Sequence, residues 1–114
     1  MELPNISDEH MQARLAQAKT YTLMILRKTD KYERPAADPI VREHGRRNMA
    51  LQESGLLNIV CPVADGGDLA GIGVFAADID QVRDIYDADP GVQAGIFSYE
   101  VHSCRGFPGS SLAG

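Results

Sequence analysis

The sequence predicts an α+β fold, a four-stranded antiparallel sheet carrying two helices. Strand-like and helix-like periodicities alternate along the chain as β-α-β-β-α-β, and a turn-rich ADGGD (64–68) joins the two central strands directly. A length of 114 residues suffices for one domain and not for two.

Residues 7–18 read as a short helix, with Ser7 as N-cap and Ile6 and Met11 spaced for a hydrophobic staple. Its apolar face (Met11, Leu15, Ala18) is thin, so residues 1–19 are expected to form an N-terminal helical extension lying on the main domain. TYTLMILR (20–27) is apolar on both alternating faces, the pattern of a strand buried on both sides. A polar, Pro-containing loop follows. A helix is then expected from Asp38, with Pro39 in its first turn, to about Ser54, where Gly55 ends it. At about 100° per residue, Ile40, Val41, His44, Asn48 and Leu51 share one stripe of this helix.

LLNIVCPV (56–63) and LAGIGVFAA (69–77) are the hairpin strands around ADGGD. Asp78 followed by Gln81 marks a capped helix start, and Ile79, Val82 and Tyr86 form its stripe up to about Ala88. DADPG breaks that helix. GIFSYEVHS (95–103) is the last strand, and the tail to Gly114 shows no regular pattern. The order is the split βαβ, or ferredoxin-like, arrangement. Its helices cover one sheet face only. The other face, apolar in the first strand, is expected to bury itself against a second copy as a homodimer.

Composition narrows the functional classes. Hydrophobic residues are 44% and charged residues 24%, and no apolar run approaches the ~20 residues of a membrane-spanning helix. The net charge is −5, and the densest basic cluster, Arg42, Arg46 and Arg47, shares its segment with Glu43 and Glu53. That is a solvated helix face, so neither nucleic acid nor membrane is expected as a partner. MELPNISDEH lacks the features of a secretory signal, which points to the cytoplasm and to reduced Cys61 and Cys104.

Few residues carry chemistry. His44, on a core-facing stripe, needs partners for both ring nitrogens; it is either a structural histidine or a general acid/base oriented by a carboxylate. Asp89, in the DADP break, is the candidate partner, although Asp-Pro is also ordinary turn chemistry. Ser98, Glu100 and His102 alternate along the last strand and share a face that Cys104 would extend. Neighbours at i, i+2 on one strand make a poor metal site, and a polar sheet face is the stronger reading. The glycines of ADGGDLAGIG match no phosphate-binding motif.

From Thr20 to about His102 the chain resembles the YCII-related (YciI-like) proteins of the dimeric α+β barrel superfamily. The resemblance rests on His44, Val60-Cys61-Pro62 and above all DADPGVQAGIFSYEV (87–101). It implies a ferredoxin-like protomer whose sheet packs on a second subunit; the domain is expected over 20–114 with its C-terminal tail, although the N-terminal helix and the CRGFPGSSL tail lie outside the minimal family domain. It also implies a cleft where His44 and Asp89 act together on a small cyclic metabolite, as dehydrochlorinase-like or lactone-isomerase-like enzymes do, without metal or organic cofactor. Asn48, Glu100, His102 and Arg105 are the expected ligand-binding residues, Arg105 as an anion contact. One departure is Ala70-Gly71, where some members carry a Ser. The competing readings are a non-catalytic dimeric module binding a small ligand and, less favoured, a haem- or metal-dependent monooxygenase.

Overall fold

Strand β1 (Lys19–Lys28) is the hub of the sheet, paired antiparallel on one edge with β3 (Leu69–Phe75) and on the other with β4 (Phe97–Gly106). β2 (Leu57–Pro62) pairs antiparallel with β3, so the strand order is β2-β3-β1-β4. The chain is described over Met1–Gly114 by a computed structural model. Its remaining elements are α1 (Asp8–Leu15), α2 (Asp38–Glu53), α3 (Ile79–Asp87) and the single turn α4 (Pro90–Gln93). This is the α+β, ferredoxin-like arrangement expected from the sequence.

Side-chain alternation divides the sheet into two unlike faces. Thr22, Met24 and Leu26 of β1 are buried beneath the helices, opposite Phe75, Gly73 and Gly71 of β3. Val82 and Tyr86 of α3 and Phe97 of β4 complete the core, with Phe75 and Tyr86 meeting edge to face at 5.7 Å. On the other face Leu23, Ile25, Ile59, Ile72 and Val74 are only half-buried. The expectation of a first strand buried on both sides therefore holds for one face within a single chain.

The helix signals act as their chemistry requires. Ser7 accepts from the His10 amide (3.1 Å) and Asp78 from that of Gln81 (2.8 Å). Gly55 takes a φ of +86° just after α2, a conformation that favours glycine. α1 buries no residue, and Ile6 and Met11 are 60% and 46% exposed, so no hydrophobic staple closes. Its Arg14 guanidinium stands 5.4 Å from the centre of the Phe107 ring, linking the extension to the tail. β4 runs to Gly106 rather than stopping at 103, held in unbroken register by β1 from Lys19↔Gly106 to Lys28↔Phe97. No helix is long and apolar enough to cross a membrane.

Candidate active site

α2 and the break after α3 meet at one point. His44 is the only buried residue of α2, and its Nδ1 lies 2.8 Å from Oδ1 of Asp89, which is completely buried. The Asp-Pro break is more than a stop signal. Asp89 is the N-cap of α4: its other oxygen, Oδ2, accepts from the Gly91 amide (2.9 Å) and the Val92 amide (3.3 Å), with Pro90 in the first turn. Two amides at a helix start stabilise a buried carboxylate. Gly91 makes room for this, since a Cβ there would overlap the Phe97 ring and come within 3.1 Å of Oδ2. The ring of His44 lies on Phe97, 5.0 Å between centres.

The direction of the hydrogen bonds follows from the donor inventory. An Asp89 carboxylate that accepts from two amides also accepts from His44, so Nδ1 carries the ring proton and Nε2 is left as an acceptor. Asn48 Nδ2 donates to that Nε2 at 3.2 Å, and its Oδ1 accepts from the Tyr86 hydroxyl at 3.3 Å. Burial, and secondarily the charge of Asp89, push the Tyr86 phenol far above its ordinary range, against a smaller opposing effect of Arg47. Tyr86 thus remains a donor. The chain Tyr86–Asn48–His44–Asp89 leaves no buried side-chain polar atom unpaired.

A cavity of about 350 Å³ opens between α2 and the helix-covered sheet face. Its roof comes from Val41, His44, Gly45, Asn48, Met49 and Gln52 of α2, and its floor from Met24, Leu26, Ala70 and Gly71. Tyr32, Lys28 and Phe97 form one end wall. A broader hollow of about 790 Å³ involves the start of β1, the start of α3 and Ser103, but has no imidazole and no buried carboxylate. The imidazole and its buried carboxylate partner border the smaller one. Its imidazole is backed by a buried carboxylate, which fits proton transfer at Nε2.

The sequence-predicted residues divide. His44, Asp89 and Asn48 come together. Glu100 and His102 do not join them; they lie opposite Ile25 and Leu23, on the sheet face away from the helices. There Glu100 accepts from His102 (2.8 Å) and Arg27 (3.3 Å), and these bonds hold its carboxyl below the usual range. Arg105, opposite Thr20, stands eight residues along β4 from Phe97, roughly 26 Å away, so it makes no anion contact in this cavity. Alternation turns Glu100 and His102 to the other face, and distance along β4 takes Arg105 away from the cavity. The helix arginines stay outside too, Arg46 paired with Glu43 (3.3 Å) and Arg47 donating to the Ile85 carbonyl (2.6 Å). Sequence reasoning missed Lys28, read as loop, and the positioning contributions of Tyr86 and Gly91. No group of three or more His, Cys, Asp and Glu is placed to hold a metal ion.

Ala70 and Gly71, the departure noted in the sequence, line the cavity floor. Among solved structures the chain is similar to the 5-chloro-2-hydroxyhydroquinone dehydrochlorinase TftG of Burkholderia phenoliruptrix, determined in complex with 2,5-dihydroxybenzoquinone. The two are 16% identical, with a TM-score of 0.52 over 72% of this chain and 90% of that one. A hypothetical Arabidopsis thaliana protein is more distant, 10% identical with a TM-score of 0.39 over 85% of this chain and 96% of that one. No curated protein matches the sequence. Residues 20–105 match the YCII-related domain, and the chain belongs to that family.

Proposed function

We propose that this protein is a small acid–base enzyme of lyase or isomerase type, with His44 as the proton-transferring group and Asp89 as its positioning partner. The observation that supports this reading is the 2.8 Å contact between a cavity-lining imidazole and a fully buried carboxylate. The substrate is a small cyclic metabolite with a C–H made acidic by a neighbouring carbonyl. His44 Nε2 takes that proton, and Asp89 stabilises the imidazolium that forms. In a lyase the C–H electron pair forms a double bond and expels a leaving group from the adjacent carbon; in an isomerase it delocalises and the imidazolium returns the proton to another carbon.

Asn48 fits this scheme as a displaceable cap. In the free protein its amide occupies Nε2; once substrate takes that place, the same N–H can donate to the carbonyl oxygen as negative charge develops there. The dehydrochlorinase activity named for TftG supports the elimination variant as a reaction class, through shared fold.

The working unit is a homodimer formed through the open sheet face. The half-buried row of Leu23, Ile25, Ile59, Ile72 and Val74 supports this, because an apolar patch running across β2, β3 and β1 favours a partner over water. Light scattering should give twice the chain mass, and Leu23→Asp should give monomers; a wild-type monomer at micromolar concentration contradicts the dimer.

Catalysis can be tested without knowing the product. In heavy water, the wild type should exchange deuterium into the C–H positions next to the carbonyl of small unsaturated lactones. Exchange should fall about 10²–10⁴-fold in His44→Gln and Asp89→Asn. Unchanged exchange in His44→Gln overturns the assignment. Binding without any exchange favours the alternative, a dimeric small-ligand-binding module.

A further inference from the structure

The cavity beside His44 has one charged end. Lys28 closes β1 on the helix-covered face, directly opposite Phe97 of β4, and lines the cavity next to Tyr32. Its Nζ is held at 3.0 Å from the Gly67 carbonyl and 5.4 Å from the centre of the Tyr32 ring. Tyr32 in turn packs on Phe97 at 5.7 Å, and Phe97 on His44, so Lys28 and His44 belong to one continuous wall. No carboxylate lies within salt-bridge distance of Nζ. No Asp or Glu lines the cavity at all, although the chain carries 16 acidic residues against 11 basic ones. An ammonium with one carbonyl partner keeps donors free, and apolar walls strengthen its attraction for an anion.

The geometry points to Lys28 as the anchor for an anionic group, so that the ligand class is a small monoanion: an apolar, ring-sized body with a carboxylate or phenolate at one end and its reacting carbon toward His44. A volume of about 350 Å³ fits one ring with short substituents and lies at the low end of ligand cavities. Besides His44, the polar side chains on the walls are Asn48, Gln52 and Tyr32, none of which carries a charge, so Lys28 is the one permanent cation of the lining. This inference rests on the cavity being the ligand site and deepens that reading. It does not require turnover.

The test is equilibrium binding of matched probes, benzoate against benzamide and phenylacetate against phenylacetamide, read by chemical shifts of cavity residues. The wild type should prefer the carboxylates by about tenfold, and added salt should erode that preference. Lys28→Met should abolish it and Lys28→Arg restore it. A merely structural lysine would weaken acid and amide equally, leaving the ratio unchanged. Equal binding of acid and amide, a preference that survives in Lys28→Met, or no carboxylate binding up to the solubility limit overturns the assignment. Because nothing here depends on turnover, a catalytically inert protein can still pass, and an active one can fail.

Discussion

Asp89 holds His44 with one carboxylate oxygen and the first turn of α4 with the other. One buried side chain thus caps a helix and fixes an imidazole, which ties the chemistry of the cavity to the stability of the fold.

Asp89→Ala should therefore destabilise the protein by about 2–4 kcal/mol. It removes an N-cap and leaves the buried His44 Nδ1 without its acceptor. Urea denaturation of the two proteins measures this. Asp89→Asn keeps a cap-competent oxygen and should recover a large part of the loss; equal losses in the two variants would mean that the contact is incidental.

Gly91→Ala tests the packing behind the pair. An added methyl overlaps the Phe97 ring and crowds Oδ2 of Asp89, with the turn of α4 and the core on either side. A cost of about 1–3 kcal/mol is expected, together with shifted His44 resonances. Gly45→Ala serves as the control, since a Cβ there meets nothing within 4 Å and alanine favours helix.

The open face carries a pH-dependent contact of its own. Hydrogen bonds from His102 and then Arg27 depress the folded pKa of Glu100, so its stabilising effect is present above the unfolded carboxylate value of about 4.3 and fades as pH falls through the lower folded value. Glu100→Gln should lower Tm by at most a few degrees at pH 7. That difference should shrink progressively as pH falls below the unfolded carboxylate value. Melting curves across this range test it, and a Tm difference independent of pH would contradict it.

Tyr99 offers a spectroscopic mark on the neighbouring core. Its hydroxyl donates to Asp87 at 2.6 Å, and burial, then that hydrogen bond, push its phenol up to about 12. Ultraviolet titration of Tyr99→Phe should show one late tyrosine ionisation missing. Loss of an early one instead would break the assignment.

Much of this arrangement was legible in the sequence, for definable reasons. Strand and helix periodicities are local, so the element order, the caps at Ser7 and Asp78 and the stop at Gly55 could be read directly. Asp89 could be named as a candidate partner for His44, and the resemblance implied that the two act together, but 45 residues separate them and only the packing of α2 on α4 brings them into contact. Lys28 was hidden in a loop reading: a charged residue at a strand end carries no sign of the face it will occupy until register is known. Glu100, His102 and Arg105 failed as cavity residues on the same ground. Their side chains are suitable, but alternation along β4 and distance along it take them elsewhere. The break at DADPG concealed a second function of its aspartate, since a cap and a turn share the same residue preferences.

The central claim is that Asp89 holds His44 with Nδ1 protonated and Nε2 as the acceptor, held by Asn48 until a ligand in the cavity displaces it. Long-range ¹H–¹⁵N NMR of the His44 ring, at a pH where the ring is neutral, tests it most directly. The account predicts the Nδ1–H tautomer in the wild type and a shift to Nε2–H in Asp89→Asn, where the amide donates to Nδ1. An Nε2–H ring in the wild type, or a tautomer indifferent to Asp89→Asn, would contradict it.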